Sequence, residues 1–331
     1  VEDPLIDAGK LLKELDDQWR QAGKGQGAGV LRACSMTLLV ITRGEDDPQE
    51  LSHTLARLAS EYPGRTILLR LKRDDRAGLS ARTSVDCWTP FGRRQQICAE
   101  RIEIETGLDD VAGVPPMVLG LAVPDLPVVC WIRSGALAWA TGLRPVISLA
   151  GRAIADTARE EDAAASLAAV KEISSATTAV GDLAWTRITR WRRAIFTAFE
   201  SGACRKRLNE ASEAEIGWAG AGAPTTAVYL AAWLRGVFPE ARLSLRMCDP
   251  VKPGKGRIRL VRLAGNGMEI RLARPEGTDL RMTMDGLNMA AVFPALDEAD
   301  LLREELLIFG RDAVFEEALG RSGEILRLVE D

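Results

Sequence analysis

A chain of 331 residues, 47% of them hydrophobic, is long enough to bury a sizeable core and fits two domains. Its 43 Lys and Arg nearly balance 47 Asp and Glu, so a formal net charge of −4 supplies no global field that would draw it onto nucleic acid. The single histidine, His53, excludes multi-histidine metal sites and leaves Ser-His-Asp or Cys-His chemistry only if His53 itself serves.

No apolar run approaches the roughly 20 residues of a membrane helix, and the first thirty residues carry no signal-peptide pattern. The expected compartment is the cytoplasm. Six cysteines, Cys34, Cys87, Cys98, Cys130, Cys204 and Cys248, are widely spaced and form no C-x-x-C pair. They read as buried free thiols, with redox sensitivity of one or two as the alternative.

In chain order, Leu5, Leu12, Leu15 and Trp19 mark a helix over residues 5–20, which the glycines of residues 23–29 break. Residues 32–42 read as a strand buried on both faces. Asp47 or Pro48 starts a helix with Leu51, Leu55 and Leu58 at helical spacing, and residues 65–71 form the next strand. The turn after the first strand, Thr42-Arg43-Gly44-Glu45-Asp46-Asp47, has no glycine fingerprint, and its three acidic residues would repel a phosphate. Residues 81–88 and 96–105 predict an antiparallel pair at a sheet edge, because the second alternates apolar and polar residues. Between them Phe91, Arg93 and Arg94 form a candidate contact loop. A strand over 126–132, a short strand over 145–149 and an alanine-rich helix over 163–173 complete the first half.

Asp182 is placed to cap a helix whose Trp185, Ile188, Trp191, Ile195 and Phe199 recur at spacings of three and four. Arg187, Arg190 and Arg193 line another face, and Arg192 flanks the aromatic one. Aromatic anchors beside arginines suit a partner contact, and the same arginines suit a small-anion clamp; a core helix docking two domains is the third reading. A helix follows over 224–237, then short strands over 243–247, 257–263, 268–272 and 279–284, then helices over 296–307 and 313–319. The fold class expected is α/β. An N-terminal three-layer α/β domain with a mixed sheet spans 1–178, and a C-terminal α+β domain with a mainly antiparallel sheet spans 179–331, opening with the Trp/Arg-rich helix.

The block Asp182-Leu183-Ala184-Trp185-Thr186-Arg187, followed by Trp191-Arg192, resembles the central signature of the OpcA proteins, the assembly or activator proteins of bacterial glucose-6-phosphate dehydrogenase. Pro124-Asp125-Leu126-Pro127-Val128-Val129-Cys130-Trp131 is similar to that family's other recognisable block, and Tyr62-Pro63-Gly64-Arg65 fits its helix-to-strand junction. The resemblance implies a two-domain, non-enzymatic subunit that binds the oligomeric dehydrogenase of the oxidative pentose phosphate pathway and promotes its active form. In some members the effect is linked to redox state, although none of the six cysteines here matches a regulatory pair. No catalytic, cofactor-binding or metal-ligating residue is assigned. The partner-binding candidates are Asp182, Trp185, Arg187, Arg190, Trp191, Arg192, Phe91, Arg93, Arg94, Asp125 and Trp131. The partner expected is the dehydrogenase, with no nucleic acid or membrane. The alternative is a sugar-phosphate or other small-anion binding protein or enzyme built on an arginine cluster.

Overall fold

The computed structural model describes all residues other than 1–6, 25–29, 73–77, 89–95, 108–109, 134–135, 138–141, 161, 201–210, 250–256, 275–278, 285–286, 309 and 331. The chain forms two compact units, residues 1–156 with 172–181 and residues 157–171 with 182–331. It thus crosses between them three times, where the sequence suggests one boundary near residue 178.

The first unit is built on one eight-stranded sheet. Its strands are β1 (Val30–Arg32), β2 (Thr37–Arg43), β3 (Arg65–Lys72), β4 (Ser80–Trp88), β5 (Gln96–Gly107), β6 (Val128–Ile132), β7 (Arg152–Ala155) and β8 (Ala179–Asp182). They lie in the order β1-β5-β3-β2-β6-β7-β8, with β4 antiparallel on β5. The pairs β2/β3, β2/β6, β3/β5 and β6/β7 are parallel. Setting β1 and β4 aside, the strands run 3-2-1-4-5-6 in chain order, the doubly wound order of dinucleotide-binding sheets. The apolar runs of β2 and β3 are buried along almost their whole length, as strands covered on both faces require.

Helix α1 (Ala8–Lys24) is tied to the β4 and β5 side of the sheet. Its Gln18 amide donates to the Thr83 hydroxyl on β4 at 2.9 Å, and the Trp19 indole N–H donates to Glu100 on β5 at 2.7 Å. Helix α2 (Pro48–Ala59) begins where expected, with the Asp47 side chain accepting from the Gln49 amide and Pro48 in the first turn.

Several sequence expectations are corrected here. Strand β5 is internal, not an edge, lying between β4 and the pair β1 and β3. Its polar residues are largely buried in ion pairs: Glu100 with Arg65 at 2.6 Å, and Glu103 with Arg70. Alternation therefore marks a paired face and not a solvated one. Residues 145–149 are no strand but the body of a short helix, α4 (Arg144–Ile147), and the turn after it, because Pro145 presets the first helical turn. Preceding it, α3 (Val114–Leu121) likewise opens on its two prolines, which start this helix and do not interrupt one. The expectation of free thiols fails at Cys87 and Cys98. They sit directly opposite each other on β4 and β5 and are joined in a disulfide. Cys34, Cys130 and Cys248 are free, and Cys204 lies outside the described residues.

The second unit carries α5 (Ala163–Ile173) up to residue 171, then α6 (Leu183–Arg187) and α7 (Thr189–Glu200). Its six-stranded sheet has the order β10-β9-β11-β12-β13-β14. The strands are β9 (Glu213–Ala219), β10 (Arg242–Asp249), β11 (Arg257–Gly265), β12 (Met268–Ala273), β13 (Asp279–Met284) and β14 (Leu287–Val292). Only β10 and β9 pair in parallel; the others form an antiparallel meander. Helix α8 (Thr225–Val237) is buried on every side from Thr225 to Leu234, which identifies it as the centre of this unit. Helices α9 (Glu298–Leu306) and α10 (Ala313–Glu330) close the chain. Architecture is thus α/β throughout, with two mixed sheets.

Candidate functional site

In a doubly wound sheet, ligands bind beyond the carboxyl ends of the strands where the winding reverses, here beyond β2 and β6. That position is filled by the chain's own charges. Asp46 accepts from the Thr42 hydroxyl and, at 3.3 Å, from the Arg43 amide. Arg133, just after β6 and 3% exposed, reaches Asp46 at 3.6 Å and Glu50 at 2.8 Å. The Asp47 carboxylate accepts from the Gln49 amide in the first turn of α2, where a pyrophosphate would need that donor. A dinucleotide does not fit these residues: its phosphates would meet two carboxylates in place of a glycine-rich cradle.

The second unit holds a different arrangement. Asp182 is fully buried and accepts hydrogen bonds from residues far apart along the chain. The Thr157 amide donates at 3.1 Å, the Thr157 hydroxyl at 2.6 Å, the Ala184 amide at 2.8 Å and the Tyr229 hydroxyl at 2.8 Å. The Ala184 bond is the helix cap that the sequence anticipates; the others come from residues far along the chain. Burial and the adjacent Asp182 charge push the Tyr229 hydroxyl well above its ordinary range. One turn later the Thr186 hydroxyl donates to buried Glu305 at 2.6 Å.

Around this network pack the rings of Trp185, Tyr229 and Phe315, with centroids 5.6 to 6.0 Å apart. The Trp185 indole N–H donates to Asp312 at 3.1 Å, and the Arg192 guanidinium stacks on the same indole 3.7 Å from its centroid. Burial pulls Arg192 down to about 10, against the opposing pull of Asp312, Glu305 and Glu304.

The Trp/Arg-rich segment is two helices, with Ile188 between them, so its arginines diverge. Arg192 turns onto Trp185, while Arg187 and Arg190 line an open cleft of about 180 Å³. Arg257 at the start of β11 and Arg274 just after β12 join them there, with Thr226, Ile188, Trp191, Ile258 and the Phe293–Leu296 segment. The Arg190 guanidinium donates to the Pro294 carbonyl at 2.8 Å, and that of Arg274 to the Phe293 carbonyl at 3.0 Å.

Of the candidates named from sequence, Asp182, Trp185 and Trp191 are interior side chains, as is Trp131 on β6. Asp125 is exposed in the turn before β6 with φ 62°. Phe91, Arg93 and Arg94 lie outside the described residues. Arg257 and Arg274 are not among those candidates. The only sequence signal for Arg257 is the arginine-rich alternation of β11, which reads equally well as a wet sheet face, and Arg274, after β12, lies outside it.

Residues 178–319 match the family model for the C-terminal domain of a glucose-6-phosphate dehydrogenase subunit, and residues 56–172 match the model for the N-terminal domain of that subunit. The chain belongs to the OpcA family. A curated relative from Synechocystis sp. PCC 6803, named as a putative OxPP cycle protein, OpcA, is 24% identical over 179 residues. That match spans 53% of this OpcA-family chain and 37% of the relative's length. Among solved structures, the transcriptional regulator Gal80p of Kluyveromyces lactis matches at 10% identity with a TM-score of 0.50, covering 95% of each chain. Biliverdin reductase of Synechocystis, solved with biliverdin and NADP+, matches at 7% identity and a TM-score of 0.48, covering 89% of this chain and 98% of the reductase. At such identities the likeness to Gal80p is one of fold.

Proposed function

We propose that this chain is a non-catalytic subunit that binds glucose-6-phosphate dehydrogenase and promotes its assembly or active conformation in the oxidative pentose phosphate pathway. The observation that carries the reading is the pair of family matches, which run in order along most of the chain. The switch point supports it: a sheet wound like that of a dinucleotide enzyme carries Asp46, Asp47 and Arg133 where the cofactor phosphates would lie. The reading sets the chain in the cytoplasm; no helix among the described residues is long and apolar enough to cross a membrane.

An activator of this kind needs only differential affinity. Binding the active form of the dehydrogenase about 100-fold better than the inactive one shifts that equilibrium by about 2.7 kcal/mol, with no catalytic residue required.

The contact we assign to the dehydrogenase is strand β14. All six of its residues are exposed, Leu287 to 65%, Met289 to 44% and Val292 to 68%. It is the last strand of its sheet, so one row of its backbone groups faces no other strand among the described residues. An exposed apolar edge is a template for another chain.

The test is a titration of the chain into the dehydrogenase of its own organism, following dehydrogenase activity and light scattering after size exclusion. A saturable rise in activity with a co-eluting complex supports the reading. Absence of a complex and of any rate change, under both reducing and oxidising conditions, rejects it.

A further inference from the structure

We infer that the cleft beside α7 binds a small phosphate monoester, its phosphoryl group held by Arg187, Arg190, Arg257 and Arg274 and its carbon chain laid against Trp191 and Phe293. The inference stands apart from the dehydrogenase reading, and either can fail without the other.

Four arginines from four places in the second unit line this cleft: the end of α6, the first turn of α7, the start of β11 and the position just after β12. No acidic residue lines it among the described residues. Glu304 feels the charge of Arg190 and Arg193 but is not part of the wall. Burial first, and then Arg257, Arg259 and Arg190, press the Arg274 guanidinium below its usual range. An anion seated among these groups would relieve that repulsion.

The arginines are held for the task. Arg190 and Arg274 each donate to the backbone of the Phe293–Pro294 segment, and Phe293 packs edge-on against Trp191 with centroids 5.7 Å apart. A guanidinium carries five donors, so the bond Arg190 gives to Pro294 fixes its place without exhausting it.

Charge and shape select the ligand. A carboxylate has one charge and two oxygens, which a single guanidinium fork satisfies; a phosphate monoester has nearly two charges and three oxygens, which several forks share. The open cleft of about 180 Å³ admits a phosphoryl group with a short carbon chain. Ile188, Ile258, Trp191 and Phe293 supply an apolar wall for the carbons.

Isothermal titration of the full chain with glycerol 3-phosphate, and separately with succinate at matched ionic strength, tests this. The expected result is saturable binding of glycerol 3-phosphate, weakened about tenfold or more in Arg274→Gln and in Arg257→Gln, as loss of a phosphate-binding guanidinium predicts. Arg246→Gln, at an exposed arginine paired with Glu215 on β9, should leave it unchanged. Should Arg274→Gln fail to fold, Arg257→Gln, at the exposed start of a strand, reads the same site. No saturable binding, equal affinity in Arg257→Gln, or equally tight succinate binding would each overturn the inference.

Discussion

Arg192 lies over the indole of Trp185, its guanidinium carbon 3.7 Å from the ring centroid, while the edge of the same indole donates to Asp312. One side chain thus joins α7 to the loop before α10. A cation over tryptophan contributes up to about 2 kcal/mol when partly desolvated, and Arg192 also offsets the negative charge of Asp312, Glu305 and Glu304. Replacing it with Met keeps much of the bulk and removes the charge. Arg192→Met should lower stability by about 1–2 kcal/mol, read as a lower urea midpoint with unchanged slope. An unchanged midpoint would show that the stack adds nothing.

Tyr229 and Asp182 make a sharper case, because both are fully buried. Tyr229→Phe preserves the ring contacts with Trp185 and Phe315 and deletes a donor to the carboxylate. Loss of a bond to a buried charged group should cost about 1.5–3 kcal/mol. The pH dependence has a definite sign. The folded pKa of Tyr229 is raised, so above the unfolded value near 10 the unfolded chain gives up this proton first and stability falls as pH rises. From about pH 9 to about pH 11, either side of that unfolded value, wild type should therefore lose stability faster than Tyr229→Phe, seen in thermal midpoints across that range. Parallel curves would remove this hydroxyl from the explanation.

How far the sequence led is clear at such residues. Asp47, Pro48 and the 51, 55, 58 spacing announce α2, and Asp182 announces the cap of α6, because caps and helical faces are local. The donors that converge on Asp182 from Thr157 and Tyr229 depend on how distant elements pack, which no spacing records. The same holds for the cleft: Arg187 and Arg190 are visible as a pair, but Arg257 and Arg274 join them only through the turns of the meander. The disulfide is hidden for a related reason, since only the register of β4 on β5 places Cys87 opposite Cys98.

That bridge spans a sequence separation of 11 residues. Closing so short a loop in the unfolded chain stabilises the fold by about 2–3 kcal/mol, and a reducing compartment withdraws that contribution. Reductant should lower the melting temperature of wild type and leave that of a Cys87→Ser, Cys98→Ser double variant unmoved. Equal responses from the two proteins would place the effect of reductant elsewhere.

Arg133 closes the switch point of the first sheet. Arg133→Met leaves the largely buried Asp46 with the Arg43 guanidinium at 3.5 Å and removes its second cation, so the variant should be less stable by about 1 kcal/mol or more. Wild type, whose own carboxylates occupy the phosphate position, should give no saturable change in NADPH fluorescence. Saturable NADPH binding would overturn the account of this turn as closed to dinucleotides.

Strand β14 offers the most direct separation of fold from function. Leu287 and Met289 are exposed large apolar side chains on an edge strand, so charging them removes no core packing. Surface substitutions of this kind usually change stability by no more than about 0.5 kcal/mol. A charge placed in the centre of a desolvated contact costs several-fold more than that. Leu287→Lys with Met289→Lys should accordingly melt like wild type yet bind the dehydrogenase at least about tenfold more weakly, each tenfold being about 1.4 kcal/mol. Light scattering on the free chain distinguishes a self-pairing edge: a dimer that becomes a monomer in the double variant, with dehydrogenase binding intact, would assign β14 to a second copy of the chain and move the dehydrogenase contact to another surface.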